Sequence, residues 1–251
     1  MIRSLSVNSK LLPIVEKYSL LLKSVDLWFA GSAALAGTAV QCGKGCSSCC
    51  RGLFDITLLD AYHLRQGIEA LAPVIQKKVL SRMSSQIRSL RLAWPEISPP
   101  YIINILTEEE LYRLMPEADP TPCPLLGENG LCLVYEHRPM TCRLHGIPLI
   151  DTSGESFHDE WCSNNFTDEV PLERKELRWQ FRELFRTELS IFQEFMAVLL
   201  NQRISELDTL IPAVALIDFD GFDWEGWWLA NRDKIRNGDF QENRQDFPPP
   251  D

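Results

Sequence analysis

The stretch Cys42-Gly-Lys-Gly-Cys46-Ser-Ser-Cys49-Cys50 constrains this chain more than any other, and Cys123, Cys132, Cys142 and Cys162 answer it further along. All eight cysteines fall between residues 42 and 162, with none in the long flanks. Cysteine used as small apolar filler would scatter through a core, and disulfides belong to oxidising compartments. Crowded, closely spaced thiols instead point to a bound metal. A C-x-x-C pair such as Cys46 and Cys49 turns both sulfurs toward one ion, and Cys42 extends it to C-x3-C-x2-C. That pattern serves zinc and iron–sulfur sites alike. Cys50 is expected to face away from Cys49, toward a second centre or bridging from the other side. Eight thiolates would fill two four-coordinate sites, or one cubane cluster and one zinc. The ligand set expected is therefore Cys42, Cys46, Cys49, Cys50, Cys123, Cys132, Cys142 and Cys162, holding an iron–sulfur cluster or zinc. Gly43 and Gly45 permit the tight backbone that convergence needs. Arg51, Arg138 and Arg143 stand beside cysteines and are expected to donate hydrogen bonds to sulfur.

Charge narrows the partners. With 25 basic and 35 acidic residues the net charge is −10, which argues against a general nucleic-acid or anionic-membrane surface. Arg174, Lys175, Arg178, Arg182 and Arg186 alternate with glutamates and read as a solvated helix face. Met1 to Val40 is apolar but interrupted by Lys10, Glu16, Lys17, Lys23 and Asp26, so neither an export signal nor a membrane span is expected. A cytoplasmic protein follows, with room for a protein partner or protein substrate.

Periodicity predicts a mainly α fold: helices wrapping a small irregular cysteine-rich metal-binding subdomain with one β-hairpin. A single domain over 1–240 is expected, with an N-terminal helix in 11–41, the cysteine-cluster region in 42–166 and C-terminal helices in 171–236. Within it, helices are predicted over 11–29, 58–71, from Pro73 to before Pro95, after Thr107 in a capping box with Glu110, and over 223–236. The longest helix is expected to run from Pro171 to about Arg203. Leu125-Leu126 and Leu131 to Val134 around Gly127-Glu-Asn-Gly130 predict the hairpin. The segment 241–251, ending in three prolines, is expected to be disordered.

Three stretches carry a family resemblance: Cys42-x3-Cys46-x2-Cys49-Cys50, then Cys123-Pro-Leu-Leu, then Cys132-Leu-Val-Tyr-Glu-x-Arg138-Pro139-x-x-Cys142-Arg143 with Cys162. Together, over roughly residues 42–166, they resemble the YkgJ-type CxxCxxCC cysteine-cluster proteins, described as a zinc- or iron-chelating domain. The resemblance implies metal binding and a cytoplasmic location. One branch of that family resembles the flagellin lysine-N-methylase, implying an iron–sulfur cluster and S-adenosylmethionine, although no separate methyl-donor motif stands in this chain. The family often opens the following helix with an acidic residue and an alanine, a place that Asp60-Ala61 fits.

Other chemistries compete. Radical enzymes that cleave S-adenosylmethionine share the C-x3-C-x2-C spacing but carry an aromatic where this chain has Ser48, and sit on strand–helix repeats. His145 or His158 could complete a mixed metal site, although a lone histidine in a polar loop is more often simply hydrogen-bonded. Asp218-Phe-Asp220-Gly-Phe-Asp223 departs from a calcium loop at its sixth and twelfth positions, and Asp223 reads better as a helix cap. Trp224, Trp227 and Trp228 read as packing of the last helix. No residue is assigned to catalysis.

Overall fold

The computed structural model describes residues 6–116 and 119–236; the expected disordered segment 241–251 lies outside the described residues. Among the described residues the chain is mainly helical, with two small two-stranded sheets and an irregular region that carries the cysteines.

Helix α1 spans Val7–Ala36, opened by Ser6, whose hydroxyl accepts the Ser9 N–H. It buries Leu11, Val15, Tyr18, Leu22 and Val25 along one side and packs mainly on α6, Phe181–Leu200. It runs seven residues beyond the expected end at 29 because Ser32 and Ala36 bury and the alanines of 30–36 favour helix. Gly37, at φ +59°, ends it. By length and composition the span Val7–Ala39 could cross a membrane, and Leu20, Leu27 and Leu35 are exposed on its outer side. Its inner side is part of the core.

The longest helix is thus α1 and not the one expected from Pro171. Pro171–Glu173 and Lys175–Leu177 are single 3-10 turns, and α6 begins only at Phe181. A long-range contact explains the delay. Trp179 donates its N–H to the Ile150 carbonyl and accepts from Thr152, a bridge that needs extended backbone at 179. Asp151 then accepts the Arg182 N–H at 3.1 Å, capping α6 from thirty-one residues away. Trp179 stacks on Trp28 at 5.7 Å, and Phe181 meets Trp28 edge-on at 4.9 Å.

Helix α2 (Leu58–Glu69) starts where Thr57 accepts the Asp60 N–H, and α3 (Pro73–Ala93) starts on Pro73, both near the expected places. Helix α4 (Glu108–Leu114) carries the full Thr107–Glu110 capping box. Strand β1 (Asp55–Thr57) pairs antiparallel with β4 (Asp208–Leu210), Ile56 opposite Thr209. Strands β2 (Leu149–Ile150) and β3 (Ser156–His158) form the second sheet. Neither sheet was expected; two or three residues are too few to establish an alternating pattern. The expected hairpin shrinks to one bridge, Leu126 with Cys132, around the turn at 127–130. Helix α5, Met140–Leu144, lies against α1, and α7, Trp224–Arg236, packs on α6. Trp224 and Trp228 are buried, as core packing predicts.

Candidate metal centre

Two tight turns shape the first cysteine stretch: Cys46 N–H closes on the Gly43 carbonyl, Cys50 N–H on that of Ser47. Gly45, at φ +105°, supplies the conformation between them. The distant cysteines are tied to this stretch through the backbone. Cys123 donates its N–H to the Cys50 carbonyl at 3.0 Å, beside a bridge between Arg51 and Pro122. Leu126 pairs with Cys132, bringing that cysteine back toward 123. On the other side, Phe166 donates to Ala39, Cys162 to Gly146, and the side-chain oxygen of Asn165 accepts the N–H groups of Gln41 and Cys42.

Cys142 rides on α5, whose placement depends on Asp60. That buried carboxyl accepts the Met140 N–H at 3.0 Å and the Tyr18 hydroxyl at 2.7 Å, joining α1, α2 and α5. Burial pushes its pKa up, opposed by those hydrogen bonds and by nearby Arg143. Asp60-Ala61 is therefore a buried anchor beneath the cysteine region.

The eight cysteines are all free thiols, with Cys46 and Cys49 exposed and Cys162 buried. Several of them influence one another electrostatically. Cys42 interacts with Cys162 and Cys46; burial, then these neighbours, push its thiol up to about 12, against the opposing hydrogen bond from Asn165. The adjacent Cys49 and Cys50 thiols influence each other, raising Cys49 and lowering Cys50. Cys50 feels Cys123, Cys142 and Cys132 in turn. Burial first pushes Cys123 up to about 11 and raises Cys132 and Cys142, the last reinforced by Cys123 and Cys132.

The arginine expectation is corrected too. Arg143 is buried, but its donors go to the Arg138 and Glu136 carbonyls and to an ion pair with Asp26. Arg138 lies over the Tyr135 ring at 3.7 Å and donates to the Tyr135 carbonyl; Arg51 donates to that of Pro120. Arg138 and Arg143 thus order the backbone that carries Cys142. The hydrogen bond to sulfur comes from Asn165, whose Nδ2 stands 3.2 Å from the Cys42 Sγ. Sequence reasoning missed Asn165; two adjacent asparagines after Cys162 signalled a turn and nothing more specific.

Burial, then the neighbouring His158, lowers the His145 pKa. His63 and His137 pack with ring centres 5.0 Å apart. Asp218 accepts the Asp220 and Gly221 N–H groups, and Asp223 accepts that of Gly226, so this acidic loop serves turns and a helix cap.

Eight free thiols are a soft donor set that suits zinc and iron. Their crowding disfavours thiolates when no cation is near, and a bound cation reverses that balance. Among the described residues, no group of three or more His, Cys, Asp or Glu is placed so that it could hold a metal ion. The fit is thus one of donor chemistry and convergence of segments.

Residues 41–163, just under half of the chain, match the family model CxxCxxCC, "Putative zinc- or iron-chelating domain". No curated protein and no solved structure matches the chain.

Proposed function

We propose that this protein chelates zinc or iron through its eight cysteines, with an iron–sulfur cluster as the favoured form. The observation that carries the reading is the hydrogen bond from Cys123 to the Cys50 carbonyl, which joins the two halves of a cysteine set otherwise separated by seventy-three residues. Chelation would release the thiol protons and couple metal binding to folding. Iron–sulfur is favoured because Cys49, Cys50, Cys123, Cys132 and Cys142 share one neighbourhood, more thiols than one tetrahedral ion takes.

Anaerobically purified protein tests this directly. A brown preparation with broad absorbance near ~400 nm, iron and acid-labile sulfide supports the cluster. Colourless protein with stoichiometric zinc keeps chelation and removes the cluster. Protein free of both metals overturns the reading.

A second reading, a cluster-dependent protein lysine methyltransferase using S-adenosylmethionine, draws support from one feature. A groove of about 460 Å³, lined by Arg82, Gln86, Pro122, Leu126 and Cys123 itself, opens beside the thiols. Absence of S-adenosylmethionine binding by calorimetry to the metal-loaded protein removes this reading. The acidic net charge supports a protein working apart from nucleic acid and lipid, in the cytoplasm. Recovery of the full chain in the membrane pellet after lysis would count against that.

A further inference from the structure

We infer that the cleft between the C-terminal half of α3 and the loop carrying Tyr101 is a binding site for a small phosphate monoester. Its phosphate would meet Arg88 and Arg91, and its apolar, ring-sized body would lie on Ile87 and Leu216. This goes beyond chelation and does not depend on it.

The two sides of α3 face different neighbours. Arg82 and Gln86 donate to the Leu126 and Pro122 carbonyls beside the cysteine region. Ser84, Arg88 and Arg91 instead line a cleft of about 350 Å³, walled on its far side by Tyr101 and by Leu216 of the 3-10 turn Ile211–Leu216. Among the described residues, the side chains of Ser84, Arg88, Arg91 and Tyr101 have no hydrogen-bond or ion-pair partner. Nor does any carboxylate among the described residues line the cleft, in a chain where acidic residues outnumber basic ones 35 to 25.

Tyr101 marks the place as built. Its N–H donates to the Ser98 carbonyl and its own carbonyl accepts the buried Thr209 hydroxyl, each at 2.7 Å. Those bonds hold it at φ +67°, where a bulky residue is an outlier. Strain of that kind persists where the surroundings over-determine it, and it gathers at ligand clamps. Tyr101 is only 8% exposed, yet its hydroxyl, which a buried tyrosine ordinarily pairs, has no partner among the described residues.

The donors select the ligand. A guanidinium fork matches two phosphate oxygens at once, and two forks balance the charge of about −1.5 to −2 on a phosphate monoester at neutral pH. The volume lies near the lower end of the roughly 300–1,000 Å³ typical of ligand pockets, enough for one ring and its head group.

The test is calorimetric titration of the full chain, purified anaerobically, with phenyl phosphate, and with inorganic phosphate and phenol as its two halves. Phenyl phosphate should bind about tenfold more tightly than either half, or better. Arg88→Gln and Arg91→Gln should each weaken it about tenfold, and Tyr101→Phe by roughly two- to tenfold. Arg203→Gln removes an exposed charge elsewhere and should leave it unchanged. Arg88 and Arg91 are exposed, so their variants keep the packed core, which far-UV circular dichroism checks. No binding of phenyl phosphate, binding no tighter than that of inorganic phosphate, or an equal loss in Arg203→Gln overturns the site. So does full binding by the doubly substituted Arg88→Gln, Arg91→Gln chain. None of these outcomes bears on metal content, so chelation stands or falls separately.

Discussion

Asn165 does at the scale of one residue what no cysteine can do for itself. It ties the backbone at Gln41 and Cys42 to Gly146 and hands a proton donor to the Cys42 sulfur. Asn165→Ala should cost about 1–3 kcal/mol in urea unfolding, because it strands part-buried N–H groups and the Gly146 carbonyl. Gly146→Ala should be comparably damaging, about 1–3 kcal/mol, since φ +115° is closed to L side chains and the added methyl meets Cys42. His63 supplies a pH dependence. Burial, then His137 and Arg143, lower its pKa from 6.5 to about 4. Between those values the unfolded chain binds the extra proton, so stability present above pH 6.5 is lost as pH falls toward 4. About 2 kcal/mol of the difference in unfolding free energy between pH 7 and pH 5 should vanish in His63→Gln. An unchanged slope in that variant would place the titration elsewhere.

At the scale of elements, helix starts divide by where their signals lie. Thr57, Pro73 and Thr107 with Glu110 are local caps, and the helices they open stand where their residues predict. The start of α6 is not local. Pro171 and the apolar periodicity after it are both real, yet the bridge from Asp151 to Trp179 holds the backbone extended until Phe181. Trp28 ties that junction to α1 through Trp179 and Phe181, and its indole donates to the Leu177 carbonyl. Trp28→Ala should cost about 3–5 kcal/mol, measured by thermal or urea unfolding. A cost no larger than that of an exposed substitution would show that the α1–α6 contact is dispensable.

For the whole molecule, the helical core and the cysteine region are joined but differently built. The core is a continuous apolar cluster running through α1, α2, α3 and α6, while the cysteine segments between 42 and 52 are mostly exposed turns. Removing metal with a strong chelator should therefore lower the melting temperature while most far-UV helical signal persists at 25 °C, with new proteolytic cuts near 42–52. Complete loss of helix on chelation would mean that the core cannot stand without the ion.

What the sequence determined by itself was whatever a short window holds. The mainly helical class follows from apolar periodicity, the capped starts from single side chains, and the chemistry of the site from eight thiols crowded into one half of the chain. Tertiary structure alone decided which distant segments meet the cysteines. It tied Cys123 to Cys50 and Cys162 to Gly146, sent the arginines to carbonyls and Asp26 rather than sulfur, and made Asn165 and Asp60 the anchors. The reason is physical: Asn165, Asp60 and the Arg143–Asp26 pair each depend on partners tens to more than a hundred residues away, and local spacing carries no record of which distant segment folds back to meet it.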